Sequence, residues 1–426
     1  MTWGRVVTLA DIGTWGSGGT PKSTQGIYYG GEIPWIRSGD LPDAPIVQHT
    51  ATITKQGFDN SSAKWVETGA VLIALYGATI GKLAITTYPV TTNQAVAYCV
   101  PDTSLLSPEF LFWFLLSKRS ELVALGHGGA QPNISQSILK KLQIMLPSLD
   151  QQRRIVSKLE NLFARSRSAR EEIVRITGLI ERNREAILGA AYSGELTTSW
   201  RKERGLPAPL RTTIDRIVAS PIRNGLSVRG SDFPPGVRSL RLSALRNGEV
   251  DLQDVRFLPI SASKSEKYLL EDNDVLISRG NGTKKFVGLA ALVQSLSDPT
   301  IFPDTAFRIR LATESARPRW FTTVWNAPQV RMQIESVAKT TAGIWKISQG
   351  DLARIEIYLP SPEEQDEIVR RIAAHSDRLT AVAYDVTRSA ALLDRLDQAV
   401  LAKGFRGELG SHEEPVEKAR ETVAAE

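Results

Sequence analysis

The chain repeats itself. LPSLDQQRRIV, beginning at Leu146, returns as LPSPEEQDEIV at Leu359, 213 positions later. The same offset runs without a gap from NISQSILKKLQI, ending at Ile144, against KISQGDLARIEI, ending at Ile357. It holds through to AYSGEL, Ala191–Leu196, against GFRGEL, Gly404–Leu409. Upstream the match continues with small shifts: IPWIRSGDL with VRSLRLSAL, GAVLIALYG with NDVLISRGN, TTNQAVAY with FPDTAFRI, and PEFLFWFLL with PRWFTTVWN. So many landmarks in one order restrict the chain to a duplicated architecture, a globular unit and a helical segment taken twice.

The helical segments are read from periodicity. Over Asp150–Tyr192, Leu159, Leu162, Ser166, Ala169, Ile173, Ile176, Ile180, Asn183 and Ile187 recur at alternating steps of three and four. Over Glu363–Phe405 the same steps give Ile372, His375, Leu379, Val382, Val386, Ser389, Leu393, Leu396 and Val400. This is a heptad seam with charged flanks. Pro147 and Pro360 precede the segments, and Gly194 and Gly407 follow them, as helix start and stop signals do. Each helix is about 60 Å long at ~1.5 Å per residue. Alone it would expose a long apolar stripe, so the two are expected to bury their stripes against each other. Parallel packing would put both globular units at one end. Antiparallel packing, the arrangement favoured here, gives a pseudo-two-fold axis and brings Asn183 and His375 near the same end of the pair.

The globular units carry short β-type runs (AVLIALY, KLAITTY, AVAYCV, DVLISR, FRIRLA, IEIYLP) interrupted by helical stretches, without strict alternation. That indicates an α+β fold. The expected divisions are 1–147 and 211–360 for the units, 148–196 and 361–409 for the helices, 197–210 for a linker, and 410–426 for a disordered acidic tail.

Composition narrows the chemistry. With 426 residues the chain can build several cores, and its net charge is +6. Basic residues exceed acidic ones from Thr213 to Pro360, which suits a polyanionic partner. Cys99 is the only cysteine, so no internal disulfide can form, and a reducing cytoplasm fits. The histidines, His49, His127, His375 and His412, are scattered without ligand spacing. No apolar run approaches the ~20 residues of a membrane span, and MTWGRVVTLADIG has no secretory pattern. GATIGKL, Gly77–Leu83, is one residue short of a phosphate-binding loop and has Leu83 in place of the magnesium-binding hydroxyl. GSGGT at Gly16 lacks dinucleotide spacing. Neither an N-P-P-Y or N-P-P-F tetrapeptide nor a P-D…E-x-K arrangement is evident, so methyltransferase and nuclease active sites are not expected. The Trp113 and Trp325 stretches read as core.

The tandem units, the duplicated L-P-S-x-x-x-Q that opens each helix, the G-E-L at each helix end, and the V-L-I turn and I-S-Q elements within each unit together resemble the specificity (S) subunit of type I restriction–modification systems. The resemblance covers nearly the whole chain. It implies two target-recognition domains reading a bipartite double-stranded DNA site. It implies a helix pair that sets the spacer and docks two methyltransferase (M) subunits, with motor-nuclease (R) subunits joining for cleavage. S-adenosylmethionine would be used by the methyltransferase partners, with no cofactor on this chain and no catalysis by it. Two other readings are a coiled-coil adaptor that binds protein and a stand-alone nuclease.

Donor-rich loops supply the candidate DNA contacts, since Arg and Lys suit guanine edges and phosphates while Asn and Gln suit adenine. In the first unit these are Arg37, Ser38, Lys55, Asn60, Lys64, Tyr76, Lys82, Asn93, Gln94, Gln131 and Asn133. In the second they are Arg241, Arg246, Lys264, Lys267, Arg279, Asn281, Lys284, Lys285, Lys339, Thr340 and Lys346. The densest stretch is SRGNGTKK, Ser278–Lys285, with glycines for close approach and cations for phosphate. The helix-pair interface is expected at Leu159, Leu162, Ile173, Ile176, Ile180, Ile187, Ile372, Leu379, Val382, Val386, Leu393 and Val400.

Overall fold

The computed structural model describes residues 4–45, 47–125, 133–246, 248–341 and 343–409. The chain forms two compact units. One takes the residues up to Ile173 together with those from Arg388, and the other takes Val174–Thr387.

In the first unit a four-stranded antiparallel sheet has the order Gly13–Ser17, Val96–Pro101, Val71–Ala74, Leu83–Ile85. The apolar run at Val71–Ala74 is unbroken because both faces of the strand are covered. Successive side chains alternate between faces. Val71 and Ile73 enter a core with Phe110, Leu111 and Phe114 of the aromatic helix Pro108–Ser117. Leu72 and Ala74 enter a second core with Ile36, Leu41 and Val90. A second sheet has the order Ala51–Ile53, Tyr29–Ile36, Val90–Thr92, Trp65–Val66.

The second unit repeats this plan. Val275–Ser278 lies between Ala306–Ile309 and Ala290–Leu292 in a six-stranded sheet. Val275 and Ile277 face Trp320, Phe321 and Trp325 of the aromatic helix Pro318–Trp325. Leu276 faces Leu240 and Phe302 on the other side. Trp113 and Trp325 are both buried. Each unit is closed by an antiparallel two-stranded ribbon, Arg5–Thr8 with Gln143–Leu146 and Leu210–Thr213 with Glu356–Leu359. The second strand of each ribbon runs through a proline into a long helix, Leu149–Ser193 of 45 residues or Pro362–Phe405 of 44.

Within each unit the two long helices run antiparallel. In the first, Leu159 lies against Gly404, and Phe405 packs its ring on Phe110 and Phe114. Further along, Ser166 Oγ donates to Asp397 at 2.6 Å, and Arg170 pairs with Asp394 and Asp397, each at 2.8 Å. In the second, Asn183 Oδ1 and His375 Nε2 meet at 2.5 Å, and Arg371 donates to the Leu196 carbonyl at 2.8 Å. Leu159 and Ile180 are buried, and the other expected interface positions of the first helix are half-buried.

On the second helix the expected seam is out by one residue at three steps. Val382 is 44% exposed and Leu396 53% exposed. Ala383, Ala390 and Asp397 take the inward positions. The inward positions still alternate, but after a second consecutive step of four, from Leu379 to Ala383, so that Ala383, Ala390 and Asp397 turn inward while Val386, Leu393 and Val400 keep their expected places. The buried Asp397 that results is satisfied by Ser166 and Arg170.

The expected linker contains a helix, Thr198–Glu203, tied to the second long helix. Arg201 and the Thr197 hydroxyl donate to the fully buried Glu364 at 2.5 and 2.6 Å. The expected tail, Gln131 and His127 lie outside the described residues. No helix among the described residues is long and apolar enough to cross a membrane.

Candidate nucleic-acid interface

The second unit gathers its candidate residues on a small three-stranded sheet. Lys339–Thr341 and Ile344–Lys346 form a hairpin, with Gly343 at φ +77° in the turn. Gly280–Asn281 adds on the far side of Ile344–Lys346. A Cβ at Gly280 would sit 3.0 Å from Lys346 Cγ and 3.2 Å from the Trp345 carbonyl, so glycine permits this pairing. The Arg279 main chain is held on both sides, its N–H donating to Thr305 O at 2.8 Å and its carbonyl accepting from Ile347 N–H at 3.0 Å. Lys284 sits over the Trp345 ring at 4.9 Å, and Lys285 over Phe286 at 5.1 Å.

Lys339 and Lys346 are exposed and lie directly opposite each other in the ladder. Like charges opposed in this way repel. A polyanion laid on the sheet would relieve the repulsion, and Arg279, Lys284 and Asn281 stand beside it. Arg279, Gly280, Ile344 and Lys346 share a cavity of about 150 Å³ with Asp304 and Thr305. Asp304 and Thr305 also border an adjoining cleft of about 450 Å³ that Arg229, Arg241 and Arg256 line. Arg229 and Arg256 are absent from the sequence-based candidates. They come from separate strands and loops, and no local signal marks them.

The remaining candidates of this unit lie elsewhere or are neutralised. Arg241 is held by Asp232 at 2.5 Å and by the Val255 carbonyl at 3.1 Å. Arg246 reaches Asp254 at 3.4 Å and the Ser243 carbonyl at 2.7 Å. Lys264 belongs to the short helix Ala262–Ser265, and Lys267 follows it, over Tyr268 at 5.2 Å.

In the first unit the equivalent edge is a bridge between Tyr76 and Asn133, beside an Ile134 N–H to Leu75 O bond of 2.8 Å. Arg37 donates to Thr50 Oγ1 at 2.7 Å and lies 3.6 Å from Asp40, with Ser38 next to it in a 3-10 turn. Lys55 pairs with Asp59 at 2.9 Å, and Asn60 caps the Gln56 carbonyl. Lys64 is exposed beside the exposed Trp65, and Lys82 is half-buried. Gln94 is bonded to Thr20, and Asn93 keeps a buried Oδ1 without a partner. Among the described residues no hydrogen bond or ion pair joins these groups to the Tyr76–Asn133 bridge.

Cys99 is buried, and burial pushes its thiol up to about 12, far from nucleophilic at neutral pH. Among the described residues no three His, Cys, Asp or Glu side chains gather as a metal site.

Comparison with known proteins agrees with this plan. The sequence profile described as "Type I restriction modification DNA specificity domain" matches residues 2–177. The type I restriction enzyme EcoKI specificity subunit of Escherichia coli (strain K12) is 29% identical over 414 residues, 95% of this chain and 89% of that protein. The StySPI specificity subunit of Salmonella potsdam is 29% identical over 74% of this chain and 68% of its own length. The chain is thus similar to type I restriction–modification specificity subunits over nearly its whole length.

Two solved structures share the fold. A chain from a study of complex assembly and conformational transition of the type I R-M system superposes with a TM-score of 0.70 at 17% identity, over 95% of this chain and 98% of the other. The HsdS subunit of Thermoanaerobacter tengcongensis gives a TM-score of 0.56 at 18% identity, over 95% and 97%. The fold described above is thus shared with both.

Proposed function

We propose that this chain is the non-catalytic DNA-reading subunit of a type I restriction–modification complex, each unit reading one half of a bipartite site. The observation that carries this reading is the repeat itself. One scaffold is built twice, and its edge carries different chemistry in each copy: half-buried Tyr76 with exposed Asn133 in the first, buried Gly280 with exposed Lys346 in the second. Two readers on one duplex engage half-sites at a spacing set by their mutual geometry. Each long helix runs unbroken from one unit into the other, which suits a spacer. Among the DNA-binding candidates named from the sequence, Arg279, Asn281, Lys284, Lys339 and Lys346 are proposed foremost.

Two methyltransferase subunits would dock on the helix pair, hold S-adenosylmethionine and flip the target adenine from the stack. Motor-nuclease subunits would join them for cleavage. The complex would act in the cytoplasm.

Exchanging residues 211–359 for the corresponding segment of a relative is expected to change one half of the methylated site and leave the other. Methylome sequencing of a host carrying the hybrid and its methyltransferase reads this directly, and a change in both halves would sink the modular reading. Adding a heptad near Ile173 and another near Val386 is expected to lengthen the gap with both half-sites kept. Altered half-sites across an unaltered gap would refute the spacer role. Salt-independent binding to DNA would favour a protein-binding adaptor, because phosphate contacts release counterions.

A further inference from the structure

The two long helices leave their units through the same junction, built twice. Gln152 and Gln365 are both fully buried. Gln152 Nε2 donates to the Leu105 carbonyl at 2.8 Å and the Pro147 carbonyl at 3.0 Å, and its Oε1 accepts the Ser107 N–H at 2.9 Å. Gln365 Nε2 donates to the Ser315 carbonyl at 2.7 Å and the Pro360 carbonyl at 2.9 Å, and its Oε1 accepts the Arg317 N–H at 2.7 Å. Every partner in both sets is a main-chain atom.

The partners come from three pieces of structure. Pro147 and Pro360 follow the ribbon strands. Ser107 and Arg317 are the N-caps of the two aromatic helices. The glutamines themselves sit in the first turn of the long helices. One amide thus joins the ribbon, the element that fills the core, and the helix that leaves the unit. Bonds from three directions fix both its position and its plane. Tilting the helix at this point would break all three bonds together and strand buried main-chain groups without partners.

We propose that Gln152 and Gln365 are positioning residues that set the direction in which each long helix leaves its unit, and through it the stringency with which the gap between half-sites is read. The proposal rests on the bipartite-site reading above. It also gives the repeated L-P-S-x-x-x-Q motif a physical role: the proline carbonyl is one of the acceptors, and the glutamine is the donor that reaches it.

The test uses the assembled complex with the full chain carrying Gln365→Asn, whose shorter amide cannot span the three partners. Methylation is measured on DNAs with the parental half-sites and gaps one base pair shorter, equal and one longer. The expected result is unchanged half-sites and an approximately tenfold rise in methylation at the neighbouring gaps relative to the parental gap. A merely structural role would lower methylation at all gaps in proportion and leave that ratio fixed, which overturns the proposal.

Hydrogen exchange on the unmutated chain is a second measurement, independent of how the variant folds. The Ser107 and Arg317 amide protons should exchange as slowly as those of Val71–Ala74. Exchange at the rate of an open loop would overturn the junction's rigidity. If the unmutated complex instead methylates an undivided site, the bipartite reading fails, and the exchange rates still decide whether the junction is rigid.

Discussion

The two units share an interior and differ at an edge. In both, a central strand buries alternate residues in two cores, an aromatic helix fills one of them, a ribbon closes the unit, and a glutamine ties down the outgoing helix. At the edge, Tyr76 and Asn133 occupy the places of Gly280 and Lys346. Interior positions answer to packing density and to buried polar groups that must be satisfied. The exposed edge positions, Asn133 and Lys346, answer to neither, so their side chains are free to diverge toward different ligands. The helix junctions differ as well. Glu364 is buried under Arg201 in the second unit, whereas its counterpart Gln151 is exposed in the first.

The largest effect that tests this comparison lies in the shared interior. Phe110→Ala and Trp325→Ala each empty a fully buried site, and each should cost about 3–5 kcal/mol. Calorimetry should show each variant lowering the transition of its own unit. A variant that spared its own unit's transition would break the equivalence of the two cores.

Next comes the edge. Lys339→Ala with Lys346→Ala should weaken DNA binding by the second unit at low salt. The slope of log K against log salt should fall by about one for each phosphate that is no longer neutralised. The recognised sequence in the first unit's half-site should stay the same. Binding titrations across a salt series measure this, and an unchanged slope would remove both lysines from the interface.

The smallest effect is electrostatic and confined to one unit. Hydrogen bonds from Arg370 at 2.8 Å and Arg371 at 2.6 Å hold the Glu367 carboxyl down at about 2. The first unit has Arg154 at the matching position. A carboxyl depressed in the folded state contributes fully above its ordinary range of ~4.3 and loses that contribution as pH falls toward the folded value. Melting of the second unit should therefore shift downward from pH 5 to pH 2, more in the parent than in Glu367→Gln. Equal shifts in both would contradict the sign.

The parts legible in the sequence are those with local causes. Periodicity marks the long helices as Asp150–Tyr192 and Glu363–Phe405, and they run over Leu149–Ser193 and Pro362–Phe405. Antiparallel packing places Asn183 and His375 near the same end of the pair, and the two side chains meet there. Where two steps of four follow each other, from His375 through Leu379 to Ala383, strict alternation goes out of phase, placing Val382 and Leu396 inward instead of Ala383 and Asp397. The sheet at Gly280, Lys339 and Lys346 is legible residue by residue but not as one surface, because strand pairing across more than fifty residues leaves no local trace. The Arg229–Arg256 cleft and the bond of Arg201 to Glu364 are tertiary in the same sense.

Because Gln152 and Gln365 grip only carbonyls and amide protons, the socket they offer is blind to the side chains of whatever module sits in it. A foreign module with the same backbone path at two short stretches would find the same three bonds, while its apolar face would still have to meet the helices, as Phe110 and Phe114 meet Phe405. The joint thus separates what any module must share from what each may vary.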